Sequence, residues 1–68
     1  MLRLKDFLKA VDENTFCKIT DISGKILLEP LSIFELSITG VKYFEYHIIH
    51  CYIRNNHLII MLDLDIII

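Results

Sequence analysis

The twelve residues at positions 57–68 read HLIIMLDLDIII, and no other stretch limits the possible folds as strongly. As a strand, this stretch puts Leu58, Ile60, Leu62 and Leu64 on one face. Ile59 and Met61 fall on the other face, followed by Asp63 and Asp65. One layer of helices can cover the first face, and apolar side chains then remain on the second. A helix spanning a bilayer needs about 18 or more consecutive apolar residues. Asp63 and Asp65 break the run well short of that, so no membrane partner is expected. The opening MLRLKDFLKAVDE mixes charge throughout and lacks the apolar stretch of a secretory signal, which points to a cytoplasmic protein.

With 68 residues the chain is one domain, 1–68. A domain this small buries only roughly 60% of its unfolded surface, so its margin of stability is thin. Yet 54% of its residues are hydrophobic, which suggests that part of that surface is buried in an assembly. Seven basic and nine acidic residues give a formal charge of −2. The lysines and arginines are scattered rather than gathered into a stripe, so no direct nucleic-acid binding is expected. Cys17 and Cys51 read as free core thiols in a reducing compartment, or as one bridge if the chain is exported.

Residues 2–13 have helical periodicity, with Leu4, Phe7, Leu8 and Val11 on one side and Lys5, Asp6, Lys9, Asp12 and Glu13 on the other. Asn14 ends the pattern. Residues 15–22 and 25–29 read as two strands joined by the turn DISGK, with Gly24 supplying a positive φ. Pro30 interrupts. Two patterns compete in LSIFELSITG. Ser32 and Glu35 make a capping box, Leu31 and Leu36 a hydrophobic staple, and Gly40 a C-terminal stop. Against this, Phe34, Leu36 and Ile38 alternate as in a strand. The three agreeing local signals favour a short helix. Residues 46–53 form a strand, and 54–57 a turn in which Asn55 and Asn56 take left-handed conformations. The last strand starts at Leu58.

The expected fold is α+β. An N-terminal amphipathic helix packs on a four-stranded, mostly antiparallel sheet, with a short helical connection between two hairpins. Ile49, Cys51 and Ile53 face the helix with Leu58, Ile60, Leu62 and Leu64. Ile48, His50 and Tyr52 lie on the outer face beside Ile59, Met61, Asp63 and Asp65.

No residue set demands catalysis. His47, His50, Cys51 and His57 are types that bind zinc, but residues three apart on a strand point to opposite faces, and a structural zinc site takes about four ligands. Asp63 and Asp65 share a face and could hold Mg²⁺, but charges near the end of an apolar strand also keep it soluble and block edge pairing. Ser23 reads as a turn residue and Ser32 as a cap. Tyr43, Phe44, Tyr46 and Tyr52 lack the basic neighbours of a base-stacking surface. No metal, cofactor or catalytic residue is therefore assigned, and the chain reads as a non-enzyme. The expected interface is Ile48, His50, Tyr52, Ile59 and Met61, rimmed by Asp63 and Asp65, with self-association through this face. Ile66, Ile67 and Ile68 are left over, to be buried against another subunit or disordered.

LRLKDFLKAVDENTFCKITD resembles the opening of small uncharacterised proteins of phages and mobile elements of Gram-positive bacteria. IIHCYIRNNHLIIML is similar to the strand, Asn-containing turn and strand with which those proteins close. Some small proteins of that kind are anti-CRISPR inhibitors that act by binding. The resemblance thus implies a binding protein with a host protein target, such as a CRISPR nuclease, and assigns no site residues. The alternative is an accessory subunit or a homo-oligomeric structural protein.

Overall fold

The computed structural model describes residues 2–67, with side chains through residue 65. In chain order the elements are α1 (Leu4–Leu8), β1 (Phe16–Thr20), β2 (Ile26–Ser32), α2 (Ile33–Thr39), a 3-10 turn (Val41–Tyr43), β3 (Tyr46–Arg54) and β4 (His57–Ile67). The strands form one sheet in the order β2-β1-β4-β3. Its two hairpins, β1–β2 and β3–β4, are antiparallel, and a parallel pairing of β1 with β4 joins them. The fold is α+β, as expected, with a helical connection between the hairpins. That connection carries the chain from one sheet edge, β2, to the other, β3, and β4 then returns to the middle beside β1.

Both helices lie on the same face. Leu4 of α1 and Ile33 and Leu36 of α2 are buried with Cys17 and Ile19 of β1 and Ile60 and Leu62 of β4. Leu58 and Leu64 pack against this cluster, as their alternation with Ile60 and Leu62 predicts.

The first helix is shorter than its pattern, five residues rather than the expected 2–13. At its start, Leu2 and Arg3 are taken up by the edge of β3. The Ile48 amide donates to the Leu2 carbonyl at 2.8 Å, and Arg3 bridges to His47. At its end, the Asp12 carboxylate accepts from the Asn14 amide at 2.8 Å, and the Asp12 carbonyl accepts from Thr15 at 3.0 Å, which turns the chain toward β1. The apolar stripe still works, since Phe7, Leu8 and Val11 all pack on the core. The Glu45 carboxylate pins the segment from outside, 2.9 Å from Lys5 Nζ and 3.7 Å from Arg3. The hydrogen bond from Lys5 holds the Glu45 carboxyl below its ordinary range.

Helix α2 forms where the capping box places it. The Ser32 hydroxyl accepts from the Glu35 amide at 3.1 Å, and the Glu35 carboxylate accepts from the Ser32 amide at 3.0 Å. The two remaining amides of the first turn, Ile33 and Phe34, donate to the carbonyls of Thr15 and Glu13 at 2.8 and 3.0 Å. The donors left open at a helix start are thus satisfied. The strand β2 runs through Pro30 instead of stopping there, which its edge position allows because an edge strand can spare an amide. Gly40 ends the helix without the expected left-handed conformation, at φ −93°. Glycine is needed there for space: a Cβ would lie 2.9 Å from the Leu36 carbonyl oxygen and would also collide with the Leu36 side chain. Gly40→Ala should therefore cost about 1–2 kcal/mol through overpacking, read as a lower urea midpoint at unchanged slope.

At the last hairpin, Asn55 and Asn56 have φ of 51° and 63°, the two left-handed residues of a tight two-residue turn. Arg54 and His57 close it as a pair.

Candidate functional site

Five of the expected interface residues, His50, Tyr52, Ile59, Met61 and Asp63, meet on the face of the sheet away from the helices. Cross-strand partners share a face, so the pairings define it. Tyr52 lies opposite Ile59, His50 opposite Met61, and His47 opposite Asp63. Across the parallel contact, Lys18 lies beside Ile59 and Thr20 beside Met61. Ile26 lies opposite Thr20 on β2.

Ile48 is the exception among the expected residues. It pairs with the buried Leu62 and packs on the core. The cause is a β-bulge: the register runs from Ile48↔Leu62 to His50↔Met61, which leaves Ile49 as an extra residue. One inserted residue reverses the alternation on either side of it. Ile48 is therefore turned inward, and Ile49, expected in the core, is 40% exposed. Ile53, also expected in the core, is 75% exposed at the end of the hairpin.

The bulge also corrects the histidine geometry. His47 and His50, expected on opposite faces, both lie on the outer one, because their partners Asp63 and Met61 do. His47 is buried, on the edge strand where Arg3 bridges to it. Among the described residues, no group of three or more His, Cys, Asp or Glu side chains could hold a metal ion, and no cavity is found. The Asp63 carboxylate accepts from the Asp65 amide at 3.0 Å, a local turn that accompanies the register slip at this end of β4. Asp63 is half-buried and Asp65 exposed. The expectation for Ile66, Ile67 and Ile68 lies outside the described side chains.

The face has a covered middle and an open surround. Ile59 is only 6% exposed although no layer lies over it. Its neighbours are Lys18, Tyr52, His57 and Met61, and side chains of that length close over a central isoleucine. Thr20 is similarly enclosed, and its hydroxyl has no hydrogen-bond partner among the described residues. Around them, Phe16 meets His57 edge-on with ring centres 6.3 Å apart, and His50 leans on Tyr52 at 5.2 Å. Phe16 and Ile26 are about half exposed, at 51% and 44%.

Sequence reasoning missed Phe16, Lys18 and Ile26. Their alternation was visible, but the parallel contact that sets β1 beside β4 joins residues some forty positions apart and leaves no local trace. A second apolar surface, also unforeseen, lies on the helical layer: Phe34, Ile38 and Val41, at i, i+4 and i+7, are each more than half exposed.

Comparison with family models, with curated proteins and with solved structures returns no match. The functional reading therefore rests on this geometry. No helix among the described residues is long and apolar enough to cross a membrane.

Proposed function

We propose that this chain is a non-enzymatic protein-binding module whose binding surface is the uncovered face of the sheet. The observation that carries the reading is one-sidedness. Both helices cover the same face, so Phe16, Ile26, Tyr52 and Met61 stand on the other with no layer above them. Uncovered apolar patches on small domains are commonly interfaces, and tyrosine and methionine are enriched at them. A second copy of the chain is the first partner to consider, because a domain this small gains proportionally most from burying a further face. The resemblance to small phage and mobile-element proteins supports a host protein as the eventual target, with inhibition by occupancy as the mode of action.

Met61→Lys puts a charge at the centre of the face without touching the core. Light scattering and sedimentation of the purified chain should show self-association that this substitution abolishes, with unchanged circular dichroism. An 8.0 kDa monomer at every concentration would remove the self-association reading. The inhibitor reading has its own test, phage growth on a CRISPR-positive host expressing the chain. Protection of the phage that Met61→Lys abolishes is the expected result, and no protection by the wild-type chain counts against it.

A further inference from the structure

The two edges of the sheet are blunted in different ways. Strand β2, at one edge, carries Glu29 and Pro30, and proline has no amide to offer an incoming strand. Strand β3, at the other edge, has no proline, and its one Lys, Arg, Asp or Glu is Arg54 at its end. Its cover comes from outside the strand. Backbone contacts of the N-terminal segment step along it in antiparallel order. The Ile48 amide donates to the Leu2 carbonyl at 2.8 Å, Arg3 bridges to His47, and the Lys5 amide donates to the Phe44 carbonyl at 3.1 Å. The sheet partner of β3, strand β4, lies on its other side, so the Ile48 amide points to the edge, where Leu2 occupies it.

This segment is fastened unevenly. Leu4 is fully buried in the core, whereas Leu2 is 48% exposed and adds little burial to hold its end down. Glu45, just before β3, supplies charge instead, with its carboxylate 2.9 Å from Lys5 Nζ and 3.7 Å from Arg3. All three side chains are partly exposed, so salt screens these pairs. Segments with little buried apolar surface open locally, at a lower cost than global unfolding.

We infer that residues 2–3 are a strap over the β3 edge, fastened by Glu45, that opens while the rest of the chain stays folded. Closed, it holds the Ile48 amide and lies where another extended strand would pair. Open, it bares the edge from Tyr46 onward. An incoming strand therefore competes with the strap, an autoinhibitory contact that weakens as ionic strength rises. The device lies on the sheet edge and does not depend on what binds the outer face.

Amide hydrogen exchange reads the strap directly, because the Ile48 amide is bonded to it. In the wild-type chain this amide should exchange faster than the amides of β4, which has a strand on either side. Glu45→Gln removes both ion pairs at an exposed position and should speed exchange at Ile48 roughly two- to fivefold, with β4 unchanged. High salt should act in the same direction on the wild-type chain and much less on the variant. Exchange at Ile48 that matches β4, or that ignores Glu45→Gln, overturns the strap. Sedimentation reads its guarding role, with Met61→Lys in both chains so that the outer face does not contribute. Adding Glu45→Gln should make the chain associate at lower concentration than its Met61→Lys parent. Identical sedimentation of the two, with a faster Ile48 amide, overturns the guarding role. The sheet-face reading is untouched by either failure, since its own test is the effect of Met61→Lys on the wild-type chain.

Discussion

Ile60→Ala should unfold a large fraction of this protein at room temperature, whereas Ile59→Ala, one residue away, should leave it folded. Both side chains are buried, Ile60 at 0% and Ile59 at 6% exposure, but they are buried differently. Ile60 lies on the central strand between Ile19 and Cys51, under the helices, in the cluster that contains Leu4 and Leu36. Its truncation leaves a cavity that fixed backbone on both sides cannot close, at a cost of about 3–4 kcal/mol. That is most of the few kcal/mol a single core of this size supplies. Ile59 is covered by side chains on its own face, and long, flexible ones such as Lys18 and Met61 can settle into the space. Its truncation should cost roughly 1–1.5 kcal/mol, below the about 2–5 kcal/mol usual for such a truncation in a rigid core, because the space can close. Urea titrations of the two variants, at concentrations where the chain is monomeric, measure the difference. Equal losses would mean that the outer face is as firmly covered as the inner one and would remove the physical basis for a docking surface there.

What the sequence disclosed and what it concealed divide along the same line. The capping box at Ser32 and Glu35, the paired asparagines of the last hairpin and the inward run Leu58, Ile60, Leu62 and Leu64 were legible because each depends on residues close in sequence. Helix α2 was harder. Ile33 and Leu36 face the core while Phe34 and Ile38 stand outside, so apolar residues on both sides of a short helix imitate the alternation of a strand. The bulge at Ile49 was not legible, since HIIHC has the same pattern with or without an extra residue in the ladder. That single insertion turned Ile48 inward and put His47 and His50 on one face. The parallel pairing of β1 with β4 was equally hidden, and it brings Phe16, Lys18 and Thr20 into the candidate site. The first helix shows the reverse case: its apolar spacing was read correctly, but its length was set by Leu2 and Arg3 pairing with β3, a contact that helical periodicity does not encode.

The second large effect is alkaline destabilisation through Cys17. This thiol is fully buried at the β1 end of the core. Burial, with a smaller contribution from Cys51 on the same face, pushes its pKa up from the ordinary 9.0 to about 11. Burial raises Cys51 in the same direction, but that side chain is only partly enclosed. A raised value means that the folded chain holds the proton more tightly than the unfolded chain. Stability from this source is therefore intact below pH 9, falls as pH rises, and is lost once pH passes about 11. A shift of this size corresponds to about 2–3 kcal/mol, comparable with the whole stability of so small a domain. Tyrosines and lysines also titrate in this range, so the decisive measurement is a comparison with a variant. Cys17→Val keeps an apolar, strand-compatible side chain at the site and has no proton to lose. Between pH 8.5 and 11 the wild-type urea midpoint should fall well below that of the variant, and below pH 8 the two curves should run in parallel. Curves that stay parallel to pH 11 would show that the Cys17 thiolate is accommodated without loss, and hence that this part of the core admits water.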